Sequence, residues 1–162
     1  MEKRELFPLA VEIQAGASLL LKFFNQGVEG RLEEHGYKIS SLQYGIMNML
    51  QVEAVTISEI SRRLGMDPST LVRTVDSLEK KDLVKRGSDP KDRRRNPISL
   101  TEKGKKLLQE VPVIREGDPV FKALESLGLE ESKTLRDLLI KSIRNIPEGR
   151  VIVDFLSQYH KP

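Results

Sequence analysis

The sequence predicts a mainly α-helical protein with one small β-hairpin, in which a central unit of short elements is flanked by helices at both ends. Three observations carry this. Apolar side chains recur at steps of three and four through residues 6–32 and again through 129–146, the period of an amphipathic helix. Two helix-start signatures, at Thr56 and Asp67, lie close together with Gly65 between them. Two short segments, Leu83–Arg86 and Ile98–Leu100, alternate like paired strands. With 162 residues, 38% hydrophobic and 31% charged, the chain can bury its own core and is neither fibrous nor disordered.

The first helix places Leu6, Leu9, Ala10, Ile13, Ala17, Leu20, Leu21, Phe24, Val28 and Leu32 at helical spacing and ends at His35-Gly36. It is longer than a domain of this size needs, so it is expected to pack against something beyond its own core. A second helix runs from about Ser40 to Leu50, with Ser40 and Gln43 as a capping box. Thr56 and Glu59 form another such box before a short helix with Ile57, Ile60 and Leu64 on one edge, stopped by Gly65. Asp67 then caps the next helix, Pro68 suits its first position, and Met66 with Leu71 can form a hydrophobic staple. Leu71, Val75 and Leu78 point one way along it. Ser69, Thr70, Arg73 and Ser77 project from the other side, short and rich in donors.

Leu83–Arg86 and Ile98–Leu100 read as the strands of a hairpin, with Gly87 to Asn96 as its connection and Pro97 at a strand start or edge. The connection contains DPKDRRR, four basic side chains and two carboxylates in seven residues. Over residues 83–106 there are nine Lys or Arg against three Asp or Glu, although the whole chain carries only +3. Such a local positive field suits an anionic partner bound at one place. Alone, the run would read as a solvated face. Strands on both sides and a helix pair upstream make it instead the tip of a hairpin beside an exposed helix. A helix, a tight turn, a second helix with a small polar face and a basic hairpin together predict a winged helix-turn-helix. Its second helix would enter the major groove of DNA. The hairpin tip would place an arginine in the minor groove and other cations on phosphates, with Asp92 orienting a guanidinium.

After the hairpin, Thr101 begins a helix with Leu107, Leu108 and Val111, which Pro112, Gly117 and Pro119 bend or break. Asp118-Pro119 starts a new one to about Leu127, and Leu129–Ile146 forms another with Leu135, Leu138, Leu139 and Ile143 on one stripe. A last segment, VIVDFLSQY, has helical spacing. It is expected either to dock across a dimer or over a ligand cavity, or to cover the core of its own subunit.

Catalysis has little to stand on. The absence of cysteine removes disulfides, thiolate metal sites and cysteine nucleophiles. His35 and His160 are isolated, Gly104-Lys105 lacks the glycine-rich run of a phosphate loop, and Glu33-Glu34 and Glu130-Glu131 point apart on a helix. No enzyme activity, metal or cofactor is expected. The start MEKRELFPLAVEIQ lacks the apolar core of a signal peptide, and no segment is expected to reach the length needed to span a bilayer, which points to the cytoplasm.

From Ile57 to Gly104 the sequence resembles the MarR family of winged helix-turn-helix transcription regulators, through EISRRLGMDPSTLVRTVDSLEKKDLVKR and DPKDRRRNPISLTEKG. The family wing pattern falls on Asp89, Lys91, Asp92, Arg94, Leu100, Thr101 and Gly104. Lys91 stands where the family has an arginine, which keeps the charge and loses the planar fork. The resemblance implies a homodimer whose terminal helices, residues 1–36 and 102–162, form the dimerisation region, while residues 37–101 form the DNA-binding region. It implies a pseudo-palindromic double-stranded operator and modulation by a small-molecule effector. It places Ser69, Thr70, Arg73 and Ser77 on the recognition helix and Lys91, Asp92, Arg93, Arg94 and Arg95 on the wing, with Arg94 at its tip. The alternative is a winged-helix module that binds another protein without reading DNA, against which Arg93, Arg94 and Arg95 weigh.

Overall fold

The structure is a computed structural model that describes residues 2–88, 96–147 and 149–156. The proposed wing residues Lys91, Asp92, Arg93, Arg94 and Arg95 lie outside them. In chain order the elements are α1 (Glu2–Glu34), α2 (Ser41–Val52), α3 (Ile57–Leu64), α4 (Pro68–Lys80), β1 (Val84–Arg86), β2 (Ile98–Leu100), α5 (Glu102–Glu110), α6 (Pro119–Leu127), α7 (Leu129–Arg144) and α8 (Gly149–Leu156).

Local chemistry starts most of these elements. Ser40 and Gln43, and Thr56 and Glu59, form reciprocal capping boxes. The Asp67 carboxylate accepts the Ser69 amide, and the Thr101 hydroxyl accepts the Gly104 amide at 3.1 Å. Each satisfies a donor that the first helical turn leaves orphaned. Gly65 closes α3 in the left-handed conformation with φ 61°, which glycine adopts without steric penalty. That tight stop lets α4 begin almost at once.

β1 and β2 pair antiparallel, Val84 opposite Leu100 and Arg86 opposite Ile98. Val55 adds a bridge on the far side of Ile98, with amide-to-carbonyl distances of 3.2 and 2.8 Å. Ile98 is therefore flanked on both sides, and Pro97 sits just outside the ladder, where its missing N–H costs nothing. Leu71, Val75 and Leu78 of α4 are fully buried. They join Ile46, Met47 and Leu50 of α2, Ile60 of α3, Val84 and Ile98 of the hairpin, and Leu107 of α5 in one core. α5 closes against the hairpin through Gly104. A Cβ there would lie 2.1 Å from the Leu83 carbonyl oxygen, the same oxygen that accepts the Thr101 amide at 3.1 Å. Only glycine fits between them.

α1 differs from the expectation in two ways. It begins at Glu2 rather than near residue 6, and Pro8 lies inside it. The apolar residues through Phe23 are exposed, Phe7 at 74% and Ile13 at 66%, while Val28 and Leu32 reach the core. Leu6, Phe7, Leu9, Val11 and Ile13 surround the helix rather than forming one stripe, so partners must cover more than one side. The expectation that no segment approaches a membrane-spanning length also needs correcting. By length and composition alone, the helix over Lys3–Glu34 is long and apolar enough to cross a bilayer. α8 packs on α7 and on α3 of its own chain, with Val153 buried, and the rest of the expected tail helix, residues 157–159, lies outside the described residues.

Gly104→Ala should cost about 1–3 kcal/mol or more, as overpacking does. Gly45→Ala, an exposed position in α2 with open space around the missing Cβ, should gain about 0.5–1 kcal/mol. Thermal or urea unfolding of the two variants beside the parent checks both signs.

Candidate nucleic-acid interface

The same three inward residues that bury one edge of α4 aim its opposite face at solvent. Ser69, Thr70 and Arg73 are exposed, and Ser77 is half-buried. Arg73 has no ion-pair partner among the described residues, so its guanidinium is available to a ligand. Ser69 has a second task. Its amide and hydroxyl both donate to the Asp67 carboxylate, at 2.8 and 2.5 Å, so the residue caps the helix as well as standing on its outer face. Thr70 presents its side chain while its carbonyl accepts the Thr74 hydroxyl at 2.8 Å.

One residue of this surface escaped the sequence reading. Arg86, on β1, donates to Asp76 at 2.5 Å and to Glu79, and its own amide donates to Glu79 at 3.0 Å. The hydrogen bond to Asp76, with both neighbouring carboxylates, raises its pKa above the ordinary arginine value. Asp76 and Glu79 are the acidic residues of α4. Arg86 consumes both and ties the exposed helix to the base of the hairpin. The only signal in the sequence was two acids three residues apart on α4 and an arginine at the end of a strand, which nothing local pairs.

An open groove of about 620 Å³ lies between α2, the hairpin and α5, with Gln51, Lys85, Ser99, Thr101 and Lys105 on its walls. Lys105 pairs with Glu102 at 2.7 Å. That hydrogen bond, with the charge of Lys105, holds the Glu102 carboxyl below its usual range.

The helix pair, the polar outward face and the hairpin define a winged helix-turn-helix protein. Residues 35–95 match the family model described as the MarR family. The fold extends the likeness over most of the chain. A mutant of MarR from E. coli complexed with operator DNA is 20% identical, with a TM-score of 0.67 over 86% of this chain and 95% of that one. Reduced AbfR bound to DNA is 27% identical, with a TM-score of 0.63 over 90% and 98%. CouR from Rhodococcus jostii RHA1 bound to p-coumaroyl-CoA is 23% identical, with a TM-score of 0.63 over 85% of this chain and 90% of that one.

The cap of α4 gives a pH prediction. The Ser69 hydroxyl, then its amide, hold the Asp67 carboxyl below its usual pKa. A depressed folded-state pKa contributes stability that is present above the unfolded value, about 3.9, and lost as pH falls through the folded one. The Ser69 amide resonance should therefore shift on acidification below about pH 4. Asp67→Asn, which also caps well, should remove that shift. NMR titration of parent and variant reads it.

Proposed function

We propose that this protein is a homodimeric, sequence-specific DNA-binding transcription regulator. Residues 37–101 form its DNA-binding region, and residues 1–36 and 102–162 its dimerisation region. The observation that carries the proposal is the division of α4, with a fully buried inner edge and an exposed outer face of Ser69, Thr70 and Arg73 beside the hairpin. A 13-residue helix held this way fits the major groove, where an arginine can read guanine through paired hydrogen bonds. Lys91, Arg93, Arg94 and Arg95 supply phosphate and minor-groove contacts, and Asp92 orients a neighbouring guanidinium.

The dimer is supported by α1, whose exposed apolar surface is far more than scattered single residues on a soluble chain require. Leu138 and Leu139 of α7 are also exposed, and a second copy would cover both helices. The same reading makes the chain a regulator of the cytoplasm rather than an enzyme. A small-molecule effector belongs to it as well. The groove between α2, the hairpin and α5 has the size of a small-ligand site, and a ligand there would touch the base of the wing directly.

Selection of bound sequences from a random duplex pool tests the function. A two-fold symmetric site with half-sites about one helical turn apart is the expected result. No enrichment, with only weak and strongly salt-dependent binding, would instead favour a protein-binding module. On the selected operator, Arg94→Ala should weaken binding and lower the salt slope by about one. Arg73→Ala should cost about 1–3 kcal/mol and relax the preference at one base pair. Binding isotherms across salt concentrations and single-base operator variants separate the two effects.

A further inference from the structure

The end of α1, whose Val28 and Leu32 are part of the core, is tied to the connection between α5 and α6 by one buried guanidinium. Arg31, in the last turn of α1, is 1% exposed. Its Nε donates to the Pro112 carbonyl at 3.0 Å, Nη2 to the Val113 carbonyl at 2.6 Å, and Nη1 to the Asp118 carboxylate. The Tyr44 hydroxyl of α2 donates to the preceding carbonyl, that of Val111, at 2.6 Å. Three consecutive carbonyls after α5 are thus held by donors from α1 and α2. Asp118 is also buried, and its carboxylate takes the Arg115 amide at 2.9 Å. It stands at the N-cap of α6 yet makes no cap hydrogen bond there. Its charge is committed to Arg31 instead. Gly27, one turn before Arg31, leaves the room, since a Cβ there would come to 3.4 Å from Nη1 and 3.5 Å from Asp118 Cγ.

We infer that Arg31 and Asp118 are positioning residues that set the distance and angle between the two recognition helices of the dimer; this rests on the operator-reading function proposed above. The reason is the break after α5. That helix leaves the hairpin rigidly but ends at Glu110, and Pro112, Gly117 and Pro119 keep it from continuing into α6. Without a clasp, the lobe would swing on this connection relative to the helices that hold the partner. Apolar packing is not directional, whereas the planar fork of an arginine fixes orientation at several acceptors together. Buried ion pairs can often be replaced by apolar residues without loss of stability. The use of this one is geometric.

The test exploits the absence of cysteine. Lys80→Cys, at the exposed end of α4, puts one spin label on each protomer, and pulsed dipolar spectroscopy reads the distance between them. Binding is measured in parallel on the selected operator and on versions with one base pair added or removed between half-sites. Each such change moves a half-site by about 3.4 Å and rotates it by roughly 35°. The parent should show one narrow distance and prefer its own spacing by about tenfold or more. Arg31→Met/Asp118→Leu, which fills the site without directional bonds, should broaden the distance distribution and bind all three spacings alike, with nonspecific binding unchanged. Arg31→Lys, which keeps the charge and loses the fork, should do the same and serves if the apolar pair does not fold. A folded variant that keeps the parent's narrow distance and spacing preference would overturn the inference while leaving operator reading intact. A parent that selects no operator would fail the functional reading itself, and the positioning role with it.

Discussion

Everything this protein presents outward depends on three side chains that point inward. Leu71, Val75 and Leu78 sit at steps of four and three along α4 and are fully buried against α2, α3 and the hairpin. Rotating the helix by one residue would turn inward Thr70, Thr74 and Ser77, or Val72, Asp76 and Glu79, and expose a leucine, so the core fixes which face meets solvent. The identity of the outer face is free to vary while its direction is not. That separation lets one scaffold carry different binding preferences.

Charge is arranged with the same economy. The acids of α4, Asp76 and Glu79, are turned onto Arg86 of β1, and Glu53 of the α2–α3 connection pairs with Arg63 at 2.5 Å. Carboxylates near the outer face are thereby occupied by the protein's own cations, which weakens their repulsion toward a polyanion. Because these pairs are partly solvated, their contribution to folding is modest. Their effect on the local potential and on the angle between helix and hairpin matters more.

The legible parts of this fold were those decided within four residues. The starts at Ser40, Thr56, Asp67 and Thr101 are written in the sequence because a cap is a contact between a side chain and its own helix. The inner edge of α4 was legible for the same reason, its period being local. The bridge from Val55 to Ile98, the partners of Arg86 and the clasp of Arg31 join residues 7 to 87 positions apart, and no spacing announces them. Arg31 was well hidden, since a basic residue in a last helical turn is already accounted for by the helix dipole. In α1 the period was read as a stripe, but the residues between its steps are apolar too, and only the fold reveals that the lobe covers just the last turns. The basic hairpin tip was read from composition and from its flanking strands.

The bare length of α1 has a consequence for assembly. It precedes the lobe in the chain, and its apolar surface has no complement within that lobe, so a lone subunit carries a sticky rod into solution. Subunit concentration then enters the stability of each subunit, as it does for chains without a durable monomer. Dilution would cost structure as well as valency, and two nascent chains on one message would be each other's nearest source of cover. In the dimer proposed above, a second copy would be a late part of the core, delivered by diffusion rather than by the chain itself.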